Sequence, residues 1–445
     1  MGRRLSVLVA VAAVVFTGCG TGTTPSPTVS TTATPSPAAP VEIVWWHMEQ
    51  PPNRVAAYQQ VLDDFNASHP GIHVTQQVQD WNTIFSKIGG AIGSNTAPDI
   101  LHASGDFTPY TRSMGENVVV PVTDLVNELD QLYHFNPAAT ALYRDGEMWA
   151  VPMYGMIQVL WYRKDFFRDA GIAEPPATWE ELLADAEQLT NGDRYGIALP
   201  AGKNMATDQV IYSLMATAHA EDLYDNDGNV TFDNANTVRA FQLYNDLLPF
   251  SPPDSTNYSW GEPQAAFNSG AAAMTIEKGQ YLPPWEAESG QPASDLGCAL
   301  IPQPAQNGQP GSIYYAEGMQ IMTKDPVKQA AAAEFIKYVM QPDVYGVFLN
   351  AEPGLFLPVT EAGLQAESWL SDPTITKYRD CVNLMLDQAE SGVLFGFTHG
   401  QYTMSIGEIT GQSIIAQTVQ KMWVDHMTPQ AAVTWGQSEM EAAVE

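Results

Sequence analysis

Apolar positions recur along the chain with two alternating periods. Glu42 to Trp46 is a β-rich run, and the segment after it places Tyr58, Val61, Leu62 and Phe65 at i, i+3, i+4 and i+7, one apolar face of a helix. His69-Pro70-Gly71 stops that helix. Ile72 to Val78 then alternates as a strand, a further helix is predicted to about Gly93, and Asp99 to Ala103 reads as the next strand. Later, Thr178-Trp179-Glu180-Glu181 has the form of a capping box, in which threonine oxygen and glutamate each satisfy an orphan backbone donor, and it opens a helix to about Leu189. Asp325-Pro326 supplies an N-cap and a proline at the first helical position of a helix ending near Met340. Strand and helix patterns alternating over the whole body predict an α/β architecture.

The N-terminus does not follow this pattern. Arg3 and Arg4 precede an apolar run from Leu5 to Phe16, followed by Thr17, Gly18 and Cys19. Twelve apolar residues reach about 18 Å as a helix, short of a hydrocarbon core of roughly 30 Å, so residues 1–18 read as a cleaved signal peptide. Met1-Gly2 with Ser6 also fits an N-myristoylation pattern, but an export segment follows at once. Small residues before Cys19 are similar to a lipobox, with Phe16 where leucine is usual, which implies acylation of Cys19. Residues 19–40 are nearly all Thr, Ser, Pro, Ala and Gly and read as a flexible tether. The expected location is therefore the outer face of the cytoplasmic membrane, held by lipid alone.

About 400 further residues exceed one hydrophobic core and suit two large lobes. A formal charge of −31 excludes nucleic acid and anionic lipid as natural ligands. Besides Cys19 there are only Cys298 and Cys381, which the sequence leaves open as a disulfide or as two buried thiols. No nucleophile elbow, zinc helix, Ser-x-x-Lys pair or Walker-A loop is present, and no cofactor or metal is expected. Asp225-Asn226-Asp227-Gly228-Asn229 resembles a calcium loop, but its glycine comes two positions too early for an EF-hand, and its apolar flanks make it a hairpin turn. A glycosidase needs only two suitably spaced carboxylates, which 50 acidic residues do not exclude.

Eight strings in order carry a resemblance. They are FNASHPGIHV from Phe65, NTAPDIL from Asn95, DGEMWAVPM from Asp145, VLWYRKDFFRDAGI from Val159, PPATWEELL from Pro175, AFNSGAAAMTI from Ala266, LGCALIPQP from Leu296 and AAAAEFIKYVM from Ala330. Over residues 41–440 the chain resembles the family 1 extracellular solute-binding proteins of ABC importers, the group with maltose-binding and glycerol-phosphate-diester-binding members. The resemblance implies a two-lobed, type II periplasmic-binding-protein-like clamp, hinged by three chain crossings near Pro152, Pro302 and Leu357-Pro358. It assigns residues 41–152 and 303–356 to the first lobe and 153–302 and 357–445 to the second. It further implies a monomer that catalyses nothing and delivers a carbohydrate to permease subunits, with a glycerol-phosphate diester or a cationic amino sugar as the alternative ligand.

Ligand-binding positions follow from the same resemblance. His47, Glu49 and Gln50 come after the first strand, Asp80 and Trp81 open a cleft-side helix, and Asp106 matches a sugar-binding aspartate of the maltose-binding members. Tyr154 and Met156 follow the first crossing, with Met156 where those members carry glutamate. Tyr281 falls near their stacking tryptophan, with Trp285 beside it; Glu317-Gly318 occupies a segment that is commonly Gly-Gly; Phe397 and His399 are in a loop of the second lobe. Arg54, Arg112 and Lys278 are the nearby cations. By contrast, Trp45, Trp161, Trp179 and Asp99 read as structural.

Overall fold

A computed structural model describes residues 39–105, 107–398 and 401–445. The proposed signal peptide, Cys19, nearly all of the tether, Asp106 and His399 lie outside the described residues. The strands used below are β1 (Val41–His47), β2 (Ile72–Val78), β3 (Ile100–Ser104), β4 (Val151–Ile157), β5 (Val159–Arg163), β6 (Met274–Glu277), β7 (Leu296–Ala299), β8 (Ser312–Ile321) and β9 (Gly392–Leu394).

β1 runs parallel to both β2 and β3, and the helix Pro52–Ser68 that connects β1 to β2 buries Tyr58, Val61, Leu62 and Phe65. Its apolar stripe therefore faces the sheet as the i, i+3, i+4 spacing requires. β8 lies antiparallel to β3 and to β4, and β9 pairs parallel with the first residues of β8. A second sheet has β5 between β6 and β7, all antiparallel. These two sheets anchor the two lobes of an α/β, periplasmic-binding-protein-like clamp.

The chain first passes between the sheets at Gln158, not at Pro152. Pro152 lies within β4, opposite Gly318, and pairing with β8 persists as far as Ile157. Gln158 is fully buried; Ser213 Oγ donates to its side-chain oxygen at 2.7 Å and Ser312 Oγ to its carbonyl at 2.8 Å, while its side-chain nitrogen is buried without a hydrogen-bond partner. The return passage lies between β7 and β8 and contains Pro302, whose carbonyl accepts the Trp179 indole N–H at 2.9 Å. Leu357 exchanges backbone hydrogen bonds with Gly155 at 2.8 and 2.9 Å. Beyond it, the short helix Glu361–Leu364 packs on the helices Thr123–Tyr133 and Pro342–Leu349, and Glu367–Leu370 on the latter.

Local expectations have direct counterparts. Thr178 and Glu181 form both halves of the capping box at the helix Trp179–Leu189, and Asp325 caps Pro326–Val339. Trp45 packs among Tyr58, Phe335 and Phe348, and Trp161 stacks on Tyr281. Asp99 is structural: it accepts the Val44 N–H at 2.9 Å and pairs with Lys328 at 2.9 Å. Asp225 to Asn229 is a turn closed by a Tyr224–Val230 bridge, with the Asp225 carboxylate accepting the N–H groups of Asp227 and Asn229. Cys298 and Cys381 are joined, with Cα atoms 5.8 Å apart.

Candidate binding site

Strand ends converge on one cavity of about 280 Å³. Met48, Glu49, Gln50 and Pro51 follow β1, Ser104 ends β3, Trp81 follows β2, and Tyr315 and Glu317 project from β8. The second lobe contributes Met205 and Gln209 from the first turns of the helix Met205–Thr217, Trp260 and Gln264 at the helix Gly261–Asn268, and Lys278 and Gln280 after β6. Carboxyl ends of strands are where α/β sheets leave a crevice, because connecting loops diverge there.

Two buried acids dominate the floor. Glu49 and Glu317 are each 3 % exposed, and the Tyr154 hydroxyl lies 3.3 Å from the first and 2.9 Å from the second. One phenolic proton donates to only one of them at a time. Burial raises the Glu317 carboxyl well above the usual carboxylate range, the nearby Glu49 raises it further, and Tyr154, Lys278 and Arg54 oppose the shift. His102, whose Nε2 is 3.9 Å from Glu317, is kept neutral chiefly by burial.

The cations of this site are already compensated. Arg54 donates to Glu49 at 2.5 Å and to Glu352 at 2.9 Å; burial opposes its charge, but the two acids hold its pKa above the ordinary value. Lys278 pairs with Glu277 at 3.2 Å and lies 4.1 Å from the centre of the Trp260 ring. Burial lowers the Lys278 pKa, against the pull of Glu277, Glu317 and Glu49. Among the described lining residues, no cation lacks a carboxylate partner. The side-chain oxygens of Gln209 and Gln280, by contrast, are buried with no hydrogen-bond partner.

The structure brings together Glu49, Gln50, Trp81, Met156 and Glu317 at the cavity. His47 and Tyr154 sit one layer below it. His47 Nδ1 accepts the Glu49 N–H at 3.2 Å, so Nε2 carries the proton and donates to Gln76 at 2.8 Å. Asp80 is set back, accepting from Gln50 at 3.0 Å. Gly318 is covered by Tyr143, whose ring a Cβ would meet at 2.7 Å. Tyr281 and Trp285 do not line the cavity. After β6 the chain turns at Gly279 and carries the Tyr281 ring back onto Trp161 and Phe267, while Trp285 packs on Phe267 and donates to the Pro292 carbonyl. Phe397 is buried in a short strand and is not a lining residue; Arg112 pairs with Asp145 and stacks on Trp149 outside the cavity.

Sequence reasoning missed Trp260, Gln209, Gln264 and Gln280. Trp260 precedes a helix in a segment of mixed polarity, where no apolar period includes it, and that isolation was the available signal.

Residues 50–345 match the family model of bacterial extracellular solute-binding proteins. A Yersinia pestis sn-glycerol-3-phosphate-binding periplasmic protein is 25 % identical over 426 residues, covering 89 % of this chain and 90 % of its own. A Pseudomonas aeruginosa mannitol-binding protein is 24 % identical over 72 % of this chain and 74 % of its own. A ribitol complex of an Agrobacterium radiobacter ABC transporter solute-binding protein superposes with a TM-score of 0.74 at 23 % identity, covering 90 % of this chain and 98 % of that one. The matched segment covers most of both sheets and most of the residues lining the cavity, and the chain belongs to the bacterial extracellular solute-binding protein family.

Proposed function

We propose that this protein captures a carbohydrate, a sugar or a polyol, in the cavity between its lobes and passes it to the permease of an ABC importer. The observation that carries this reading is the pairing of two lining tryptophans, Trp81 from the first lobe and Trp260 from the second, with amides and carboxylates around them. Sugar C–H faces suit flat rings, and hydroxyl rims suit Gln209, Gln264, Gln280, Glu49 and Glu317. Mannitol and ribitol, which a relative and a structural neighbour bind, present the same hydroxyl chemistry.

A glycerol phosphate, as named for the Yersinia relative, fits less well. A phosphate calls for converging donors of positive charge, and Arg54 and Lys278 are each held by carboxylates. Outside the described residues, the reading adds export through residues 1–18 and attachment through acylated Cys19, with the Thr/Ser/Pro segment as tether. Among the described residues no helix is long and apolar enough to cross a membrane. A thermal-shift panel of sugars, polyols and glycerophosphodiesters tests the ligand class: a ligand at a hundred times its dissociation constant adds about 2.7 kcal/mol. Stabilisation by glycerophosphodiesters alone contradicts the proposal.

A further inference from the structure

Buried carboxylates outnumber cations at the floor of the main cavity. Glu49, Glu277, Glu317 and Glu352 are all buried at or beside it, and the cations that line it are Arg54 and Lys278. Arg54 is shared by Glu49 and Glu352, and Lys278 pairs with Glu277. Among the described residues no lysine or arginine nitrogen lies within ion-pair distance of Glu317, and the nearby His102 Nε2, at 3.9 Å, belongs to a ring that burial keeps neutral. Glu317 is therefore the acid left without a counter-charge. A carboxylate so placed is costly unless it keeps its proton or meets a cation from outside.

The fold presents this acid to the cavity. Glu317 pairs with Tyr154 across β8 and β4, but the next residue, Gly318, pairs with Pro152, and such a break in register re-aims the side chain beside it. Glu317 Oε2 lies 2.9 Å from the Tyr154 hydroxyl, and the residue lines the cavity. A separate observation comes from the second lobe. Gln209 and Gln280, 4 % and 9 % exposed, line the same cavity, and their buried side-chain oxygens accept no hydrogen bond from the protein. Unpartnered acceptors call for a ligand rich in donors. A hydroxyl donates one hydrogen bond and brings no charge, whereas an ammonium donates three and supplies the missing positive charge.

Resting on the carbohydrate reading above, we infer that the captured carbohydrate carries a protonated amine and that Glu317 is the residue that selects it. The amine and a vicinal hydroxyl both reach the Glu317 carboxylate, and further hydroxyls reach Gln209 and Gln280. In the empty cavity the proton stays on Glu317, because burial and then Glu49 raise its carboxyl against the pull of Tyr154, Lys278 and Arg54. Besides these, Tyr58 from the helix Pro52–Ser68 and His102 from β3 are the titratable groups that face it among the described residues. When the ammonium binds, that proton leaves to solvent and an ion pair takes its place; a neutral sugar leaves the proton where it is. Capture of the amine therefore tightens as pH rises, until the amine itself loses its proton.

Calorimetry on the whole protein at about pH 6, where such amines are protonated, tests this with sets that differ only in the C2 substituents. The sets are glucosamine, glucose and N-acetylglucosamine; their galacto and manno counterparts; and the β-1,4 glucosamine dimer, cellobiose and the N-acetylated dimer. In the set that binds, the amine binds about tenfold or more tightly than either neutral form. Titrations in buffers of different ionisation enthalpy show about one proton released with the amine and none with the neutral forms. Glu317→Gln brings the amine-to-hydroxyl affinity ratio to about one and removes the proton release. A neutral form or a polyol bound as tightly as any amine overturns the inference while the carbohydrate reading stands. So does an amine preference that survives Glu317→Gln or comes without proton release. Binding in none of the sets, with none to polyols, overturns both.

Discussion

The Tyr154 hydroxyl lies 2.9 Å from a Glu317 carboxylate oxygen, and both residues are buried beneath the cavity. Burial, then Glu49, push the Glu317 carboxyl well above its ordinary 4.5, while Tyr154, Lys278 and Arg54 pull it back. His102, a further titratable neighbour, is kept neutral by burial. Between the unfolded value and the raised folded one, the native state binds more protons than the unfolded chain. Stability from this group is therefore full below the unfolded pKa and is lost as pH rises through the folded pKa. Melting curves between about pH 5 and 8 should show the wild type losing more stability than Glu317→Gln, which keeps a neutral group at every pH. Parallel curves would mean that Glu317 titrates as an ordinary surface acid.

Trp81 and Trp260 are the two tryptophans that line the cavity. Trp81→Ala and Trp260→Ala should each weaken binding of the cognate carbohydrate by about 1–3 kcal/mol, the scale of losing a buried aromatic contact. Trp260→Phe should retain most of the affinity, whereas Tyr281→Phe, deep in the second lobe, should leave it nearly unchanged. Calorimetry on these variants decides between the cavity walls and the buried ring stack.

Much of the fold was legible because its signals are local. The face of Tyr58, Val61, Leu62 and Phe65, the Thr178–Glu181 box and the Asp325 cap depend on spacings of a few residues. Glu49, Gln50 and Trp81, which the family resemblance singled out after strands, line the cavity. Tyr281 also follows a strand, but the turn at Gly279 sends it inward. A Cβ there would meet the Gly354 carbonyl at 1.9 Å, a contact between distant segments that no local pattern contains. The first hinge position likewise depends on how far β4 pairs with β8, which the proline at 152 does not encode.

Gly279 itself is a sharp test of that contact. Gly279→Ala must displace the Gly354 backbone, which is not the flexible end of a side chain, beside the lining residues Lys278, Gln280 and Leu355. The variant should lose ligand affinity and melt lower than wild type, with Gly354→Ala, at φ +90°, doing the same. Wild-type-like affinity and melting for both variants would show that these two segments do not pack against each other at Gly279 and Gly354.

The Cys298–Cys381 bond joins β7, just before the return passage, to the helix Arg379–Glu390, and Gln388 of that helix accepts the Ile301 N–H at 3.3 Å. It closes a separation of 83 residues. Cys298→Ser/Cys381→Ser should cost about 2–5 kcal/mol in denaturant unfolding, with reduction of the wild type giving a similar loss. No change on reduction would mean that the two thiols do not pair in solution.

If Cys19 is the anchor, the full chain made in a bacterial host that acylates exported proteins should sediment with membranes, and Cys19→Ser should release it. Equal partitioning of both forms would remove the lipid from the account.

The central claim is that a carbohydrate sits in the cleft between the lobes, and a crystal structure with the saccharide selected by the thermal-shift panel measures it most directly. The account predicts sugar density against Trp81 and Trp260, with hydroxyls reaching Glu317 and the amides of Gln209 and Gln280. Density for the same ligand outside this cleft, with the cavity filled only by solvent, would contradict it.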